Sequence, residues 1–265
     1  MKVYLPKSGL VFFLMLTFGH QLSAQELQKK KELVFQVGEE LKYKVRYGVF
    51  TAGEASVRVD DSDLKFDNNP VFHLSGEGHT AGIFALFNKV RDRYDSYIDR
   101  ENLMPYLYTD NIREGGYRRN DKARFYQDKR QIVCNTSTLK CEKQTFDLVS
   151  AYYFARSLDL TKIKEGDMFS INYYLTNEVA KVDITYVGKE RIQTNLGYMN
   201  CLKFNPSIQP GRIFKKNSKL YLWITDDGNR IPVKAQVEII LGSVVAELTS
   251  ANGLKYPIVA DNVKP

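Results

Sequence analysis

Phe35 to Val59 reads FQVGEELKYKVRYGVFTAGEASVRV, and the periodicity of this stretch decides the fold class. Leu41, Tyr43, Val45 and Tyr47 alternate with Lys42, Lys44 and Arg46, the period-two pattern of a strand with one dry and one wet face. Thr51, Ala52 and Gly53 are small enough for a turn. Ala55, Val57 and Val59 then alternate with Ser56, Arg58 and Asp60 in a second strand. The stretch is an amphipathic hairpin, and it contains no catalytic group.

The same rhythm continues along the chain. Val71–Gly76, Lys89–Asp99, Tyr106–Arg113, Ala123–Gln127 and Gln131–Cys134 carry β-branched or aromatic residues between turn signals. Phe169, Ile171, Tyr173 and Leu175 mark a further strand, followed by Val182, Ile184 and Tyr186 and a turn at Thr194–Gly197. Leu220, Leu222 and Ile224 lead into Asp226-Asp227-Gly228-Asn229, a hairpin turn whose Gly and Asn accept positive φ. Ile231 to Ile239 returns from it, and Gly242 turns the chain again into Val244, Ala246 and Leu248. Phe146 to Leu158 (FDLVSAYYFARSL) breaks the rhythm: Leu148, Ala151, Tyr152 and Ala155 stand at helical spacing behind Asp147, a helix cap. A second short helix is expected over Ala81–Phe87. These elements predict a mainly β protein, a single antiparallel, strongly curved β-roll or incomplete barrel with one or two short helices. Rolling the sheet hides strand edges that would otherwise invite aggregation.

The first residues read as a targeting segment. Lys2 and Lys7 precede the apolar run Leu10–Phe18, which is shorter than the roughly 20 residues of a membrane-spanning helix. Leu22-Ser23-Ala24 forms a small-residue cleavage site. The expected organisation is a signal peptide over 1–24, a flexible leader over 25–32 and one β-rich domain over 33–265, with no membrane-spanning segment in the mature chain. Loss of Lys2 and Lys7 lowers the formal charge of +7 to +5. The cations are scattered among acids, which argues against a nucleic-acid partner. Export permits disulfides. Cys134 and Cys141 flank NTSTLK, a hairpin loop that leaves room for a bridge or for two free thiols, whereas Cys201 in YMNCLKF reads as a small buried hydrophobe.

Chemistry is sparse. His73, Glu77 and His79 in HLSGEGH share one face of an extended strand and form the one candidate metal set, set against the reading of two ordinary strand histidines. Arg91, Asp92, Arg93 and Asp95 offer carboxylates for a glycosidase dyad, or plain cross-strand ion pairs. YRRNDKARFYQDKR mixes basic and aromatic residues as a single-strand binder does, but reads as a solvated hairpin. Serine-nucleophile motifs, phosphate loops and dinucleotide fingerprints are absent, and no cofactor is expected. Gly76-Glu77-Gly78 and Glu114-Gly115-Gly116 read as turn material. The 17 tyrosines matter more: amphipathic rings lining a concave sheet can cover a sugar or an acyl chain, set against the plainer reading of tyrosine as a good strand former that snorkels from a core. Tyr43, Tyr47, Tyr94 and Tyr108 are the candidate ligand-binding residues.

GEELKYKVRYGVFTAGEASVRV at the start, FDLVSAYYFAR in the middle and WITDDGNRIPVKAQVEIILGSVVAELTS at the end together resemble a family of exported bacterial proteins known as domain of unknown function 3108. The resemblance spans nearly all of the mature chain. It implies an antiparallel β-roll similar to that of a capsule-export lipoprotein family, and the envelope of a Gram-negative bacterium, either the periplasm or the outer-membrane periphery. No lipobox cysteine is present, unlike the lipoprotein relatives. The family offers no catalytic residue to carry over. The leading expectation is non-enzymatic binding of an envelope glycan, lipid or protein. An accessory or scaffold subunit of an export system is the second reading, and a carboxylate-dependent hydrolase the third.

Overall fold

The computed structural model describes residues 29, 32–207 and 218–261. The signal peptide over 1–24 and nearly all of the 25–32 leader lie outside the described residues. The elements are β1 (Glu40–Tyr47), β2 (Phe50–Phe66), β3 (Asn69–Thr80), α1 (Phe84–Phe87), β4 (Arg91–Asp99), β5 (Pro105–Glu114), β6 (Tyr117–Tyr126), β7 (Gln131–Cys134), β8 (Thr138–Lys140) and β9 (Thr145–Asp147). They continue with α2 (Leu148–Arg156), β10 (Met168–Leu175), β11 (Glu178–Thr194), β12 (Gly197–Pro206), β13 (Leu220–Thr225), β14 (Pro232–Glu238) and β15 (Ser243–Asn252). Among the described residues no helix is long and apolar enough to cross a membrane.

All the strands belong to one sheet in the order β8-β7-β6-β5-β4-β3-β2-β1-β15-β14-β13-β12-β11-β10-β9. Two meanders, one from each half of the chain, therefore meet where β1 pairs antiparallel with β15. Every pairing is antiparallel except β9 with β10. The outermost strands β8 and β9 are neighbours in sequence but not in the ladder, so the roll stays open in its backbone. Side chains close the gap instead. Gln127, in the β6–β7 turn, donates to the Thr145 carbonyl at 2.8 Å and accepts from the Thr145 N–H at 3.4 Å. An amide side chain here imitates a ladder pair.

Helix α2 plugs part of the interior. Asp147 caps it by accepting from the N–H groups of Val149 and Ser150, both at 2.9 Å, while Ser150 Oγ accepts from the Asp147 N–H. Ser96 on β4 donates to the other Asp147 oxygen at 2.6 Å. The helix packs on β3, β4, β9 and β10, and its Val149, Tyr153 and Phe154 join Phe35, Leu74, Ile98, Phe169 and Ile184 in the largest core cluster. Arg156 in its last turn is buried and grips both carboxylate oxygens of Glu39 at 2.5 and 2.9 Å. The same guanidinium donates to the Asn229 carbonyl at 3.0 Å. One residue thus ties the helix to the entrance of β1 and to the β13–β14 turn. A second cluster gathers Leu41, Met199, Trp223, Val233 and Leu248, and a third gathers Tyr108, Phe125, Ile132 and Tyr174.

Several sequence expectations move. The first hairpin turns at Gly48–Val49, so Thr51–Gly53 belong to β2. Gly53 sits where β2 and β3 approach so closely that a Cβ would stand 2.6 Å from the His79 carbonyl oxygen. Gly76-Glu77-Gly78 is strand, not turn, whereas Glu114–Gly116 does join β5 to β6. The bridge between Cys134 and Cys141 is corrected: both are free and buried, as is Cys201. Cys134 stands opposite Ser137 and Cys141 opposite Arg130, as their backbone hydrogen bonds place them. Four residues of strand separate the two, roughly 13 Å, beyond the reach of a disulfide.

Candidate functional site

The inward face of β3 carries Phe72, Leu74, Gly76, Gly78 and Thr80 in period-two succession, and its register with β2 and β4 is unbroken from Ser75 to His79. Phe72 and Leu74 pack in the core. Beyond them the side chains vanish. Gly76 and Gly78 face Val57 and Ala55 on β2, so the space between these strands and the start of α2 is left unfilled. The result is a cleft of about 570 Å³ between β1, β2, β3, β4 and the first turns of α2. Val45, Ala55, Val57, Val90, Leu148 and Val149 give it apolar walls. Thr80, Asp92, Tyr94 and Tyr152 contribute its inward side-chain polar groups, while Glu54, Ser56, Glu77 and His79, which also border it, stand at the alternate, outward positions of β2 and β3. A volume of this size with an apolar lining and few polar groups is that of a small-molecule site.

The room exists because of glycine. A Cβ built at Gly78 would meet nothing within 4 Å, and one at Gly76 would meet Val149 at 3.7 Å, an ordinary contact. Neither position requires glycine for its backbone, so neither is glycine for the sake of the strand. Burial pushes the phenol of Tyr94 up to about 12, helped by the nearby carboxylates of Asp92 and Asp110. Burial likewise pushes Tyr152 up to about 12, against the opposing Arg156. Both hydroxyls stay protonated at neutral pH. The Tyr152 and Tyr43 hydroxyls bond to each other at 2.9 Å, and burial also raises Tyr43.

The four candidate tyrosines have different fates. Tyr94 lines the cleft, and Tyr43 supports it through Tyr152. Tyr47 stands at one end of the roll, donating to the Leu241 carbonyl at 2.7 Å and meeting the Phe84 ring edge-on. Tyr108 is fully buried in the third core cluster with its hydroxyl on Asp110, so it cannot reach a ligand. Its inward position on a strand made it look like the others.

His73, Glu77 and His79 lie on the outward face of β3 and do not converge. His73 bonds to Asp95 at 2.8 Å and stacks on Tyr97 with ring centroids 4.7 Å apart. Glu77 pairs with Arg93, and His79 faces Glu54 at 3.6 Å. Four residues of strand part His73 from Glu77, roughly 13 Å. No group of three metal ligands occurs among the described residues, so the candidate metal set is not assembled. Asp95 and Arg93 form an ion pair at 2.8 Å on the same outward face. Burial works against the charge on Asp95, but His73 and Arg93 outweigh it and hold the carboxyl below its usual range. Asp92 faces inward and accepts from the Arg113 N–H at 3.1 Å. In the basic and aromatic run 117–130, Arg124 lies over the Phe66, Tyr106 and Tyr126 rings on the outside of the sheet.

The residues that make the cleft, Ala55, Gly76, Gly78, Val149 and Tyr152, were not singled out by sequence. A signal was present: small residues recur at alternate inward positions of adjacent strands. Read one strand at a time, they pass for turn material.

Residues 42–249 match the model of a family described as protein of unknown function DUF3108. No curated protein matches the sequence. The fold is similar to that of a β-barrel-like protein of domain of unknown function DUF1849 from Brucella abortus, with a TM-score of 0.55 at 8% identity, covering 82% of this chain and 98% of that one. A Bacteroides fragilis protein with a YmcC-like fold aligns at a TM-score of 0.35 and 11% identity over 83% of this chain and 100% of its own. A DUF1089-family protein of Pseudomonas aeruginosa aligns at 0.39 and 8% identity, over 71% and 92%.

Proposed function

This chain belongs to the DUF3108 family, and we propose that it is an exported, non-enzymatic protein that holds the apolar part of an envelope lipid in the cleft at the open end of its roll. The observation that carries this reading is the pair Gly76 and Gly78, which leave empty a space that ordinary side chains would fill without strain. The walls favour lipid over glycan. A sugar needs several hydrogen-bonding groups, and this cleft offers few. Tyr94 and Tyr152, protonated at neutral pH, supply neutral hydroxyls for an ester or a headgroup at the edge of an acyl chain. Export to the periplasm or the outer-membrane periphery is supported by the charged, apolar and small-residue succession of residues 1–24. The hydrolase reading loses ground because each carboxylate near the cleft has another partner: Asp92 the Arg113 N–H, Glu77 Arg93 and Glu54 His79.

Uptake of a fluorescent fatty acid tests the proposal. The wild-type protein is expected to bind the probe saturably, and Gly78→Leu, which places a side chain in open space, is expected to abolish binding without loss of fold. Equal binding by both proteins would refute it.

A further inference from the structure

The end of the roll beside the cleft is an exposed apolar rim. Tyr47 organises it. Its hydroxyl donates to the carbonyl of Leu241 in the β14–β15 turn, its ring meets Phe84 of α1, and it pairs across the first hairpin with Phe50. The segment carrying α1 is fastened to β2 by the Ala81 N–H on the Ala52 carbonyl at 3.0 Å. It is fastened to the β5–β6 turn by the Gly115 N–H on the Lys89 carbonyl at 2.9 Å. Three connections therefore bring their apolar tips together. Val49 is 90% exposed, Leu86 85%, Phe87 84% and Leu241 73%, with Phe50 and Ile83 beside them.

Burial gives these residues no role in the core, and helix α1 has no buried residue at all. Contiguous exposed apolar side chains of this kind mark a surface that something covers. Charge says what. Lys89, Arg91, Arg113 and Arg118 are exposed beside α1 and the β5–β6 turn. None of the four forms a salt bridge with a described carboxylate; Arg118, for example, spends its guanidinium on the carbonyls of Gly115 and Tyr117. The acids at this end are Asp92, Glu114, Glu54, which faces His79 at 3.6 Å, and, on the β14–β15 side, Glu238. Asp92 faces inward toward the cleft. Apolar tips flanked by unpaired cations are the composition of an interfacial membrane contact, in which the tips enter the headgroup boundary and the cations meet anionic lipid.

We infer that this rim seats the protein on an anionic membrane surface. Val45, Ala52, Thr80 and Val90 line the cleft and adjoin the rim residues in sequence and register. The docked orientation turns the mouth of the cleft toward the bilayer. The rim stands on observations independent of the cleft, and its failure is distinguishable from failure of the lipid-holding reading.

The test is co-sedimentation of the protein, as processed by its bacterial host, with vesicles of phosphatidylcholine alone or equimolar with phosphatidylglycerol. Wild type is expected to sediment with the anionic vesicles and to be released by salt. The double variant Leu86→Glu, Phe87→Glu alters two solvent-exposed positions and is expected to bind at least about tenfold more weakly. Gly78→Leu is expected to bind vesicles as wild type does, since it blocks the cleft and leaves the rim. Absence of wild-type binding, indifference to phosphatidylglycerol, or an unweakened double variant would each overturn the inference. So would a wild-type dimer in sedimentation velocity that the double variant dissolves, because the rim would then cover a second copy of this chain.

Discussion

Tyr174 on β10 donates its hydroxyl to the buried carboxylate of Asp121 on β6 at 2.6 Å. These strands lie far apart in the ladder, on opposite arms of the sheet, so the bond spans the gap that backbone pairing leaves open. Burial and Asp121 raise the Tyr174 phenol well above its ordinary value, which keeps the proton on the donor. Asp110, opposite Asp121 in the β5–β6 register, accepts from the Arg119 guanidinium at 2.6 Å, so the second buried acid is compensated separately. Tyr174→Phe removes the donor and leaves a buried carboxylate without its hydroxyl partner. Chemical denaturation is expected to show a loss of about 1–3 kcal/mol. An unchanged midpoint would mean that this bond does not hold the roll shut.

The Glu39–Arg156 pair makes a stronger demand. Both side chains are buried. Burial opposes the charge on Arg156, yet the hydrogen bonds and charge of Glu39 overcome it and raise the guanidinium above its usual range. Removing one partner strands the other. Arg156→Met is expected to cost about 3–5 kcal/mol, whereas Glu39→Leu combined with Arg156→Met recovers part of that loss. A double variant worse than the sum of the single ones would contradict the pairing.

Asp147 gives the fold a pH dependence of known sign. Its burial, larger than the opposing hydrogen bonds from Ser96 and Ser150, raises its pKa above the ordinary 3.8. Between 3.8 and that raised value the folded state holds more protons than the unfolded chain. The stabilisation from the protonated site is therefore complete below the window and is lost as pH rises through it. Asp147→Asn keeps a capping oxygen and removes the titration. Thermal melts at stepped pH are expected to show the variant gaining on wild type from pH 4 upward, about where an unfolded aspartate ionises. A constant difference would refute the assignment.

The free thiols are the simplest check of the β7–β8 register. Burial raises Cys134, Cys141 and Cys201 alike, so none is reactive in the native protein. In denaturant without reductant, mass spectrometry is expected to find all three alkylated. Two unmodified cysteines would restore the bridge.

Much of this architecture was legible in the chain, and the reason is periodicity. Leu41 to Tyr47, Phe169 to Leu175 and Ile231 to Val237 alternate because one face of each meets the core. Asp147 declared the helix because a capping aspartate before an apolar stripe has few other uses. The closure of the roll was not legible. Tyr174 and Asp121 are polar residues in unrelated strands, and only the curvature of the sheet brings them together. The cleft was hidden for a related reason. Gly76 and Gly78 matter as absent side chains opposite Ala55 and Val57, which is a property of four strands and a helix at once. Of the candidate tyrosines, Tyr94 lines the cleft, and Tyr108 shows that an inward ring is as easily core as cleft.

The central claim, an apolar cleft kept open to hold a lipid, is tested most directly by native mass spectrometry of the protein isolated from its own host cells. Wild type is expected to carry a lipid-sized adduct that Gly78→Leu lacks while remaining folded. Wild type without an adduct, or Gly78→Leu carrying the same one, would contradict it.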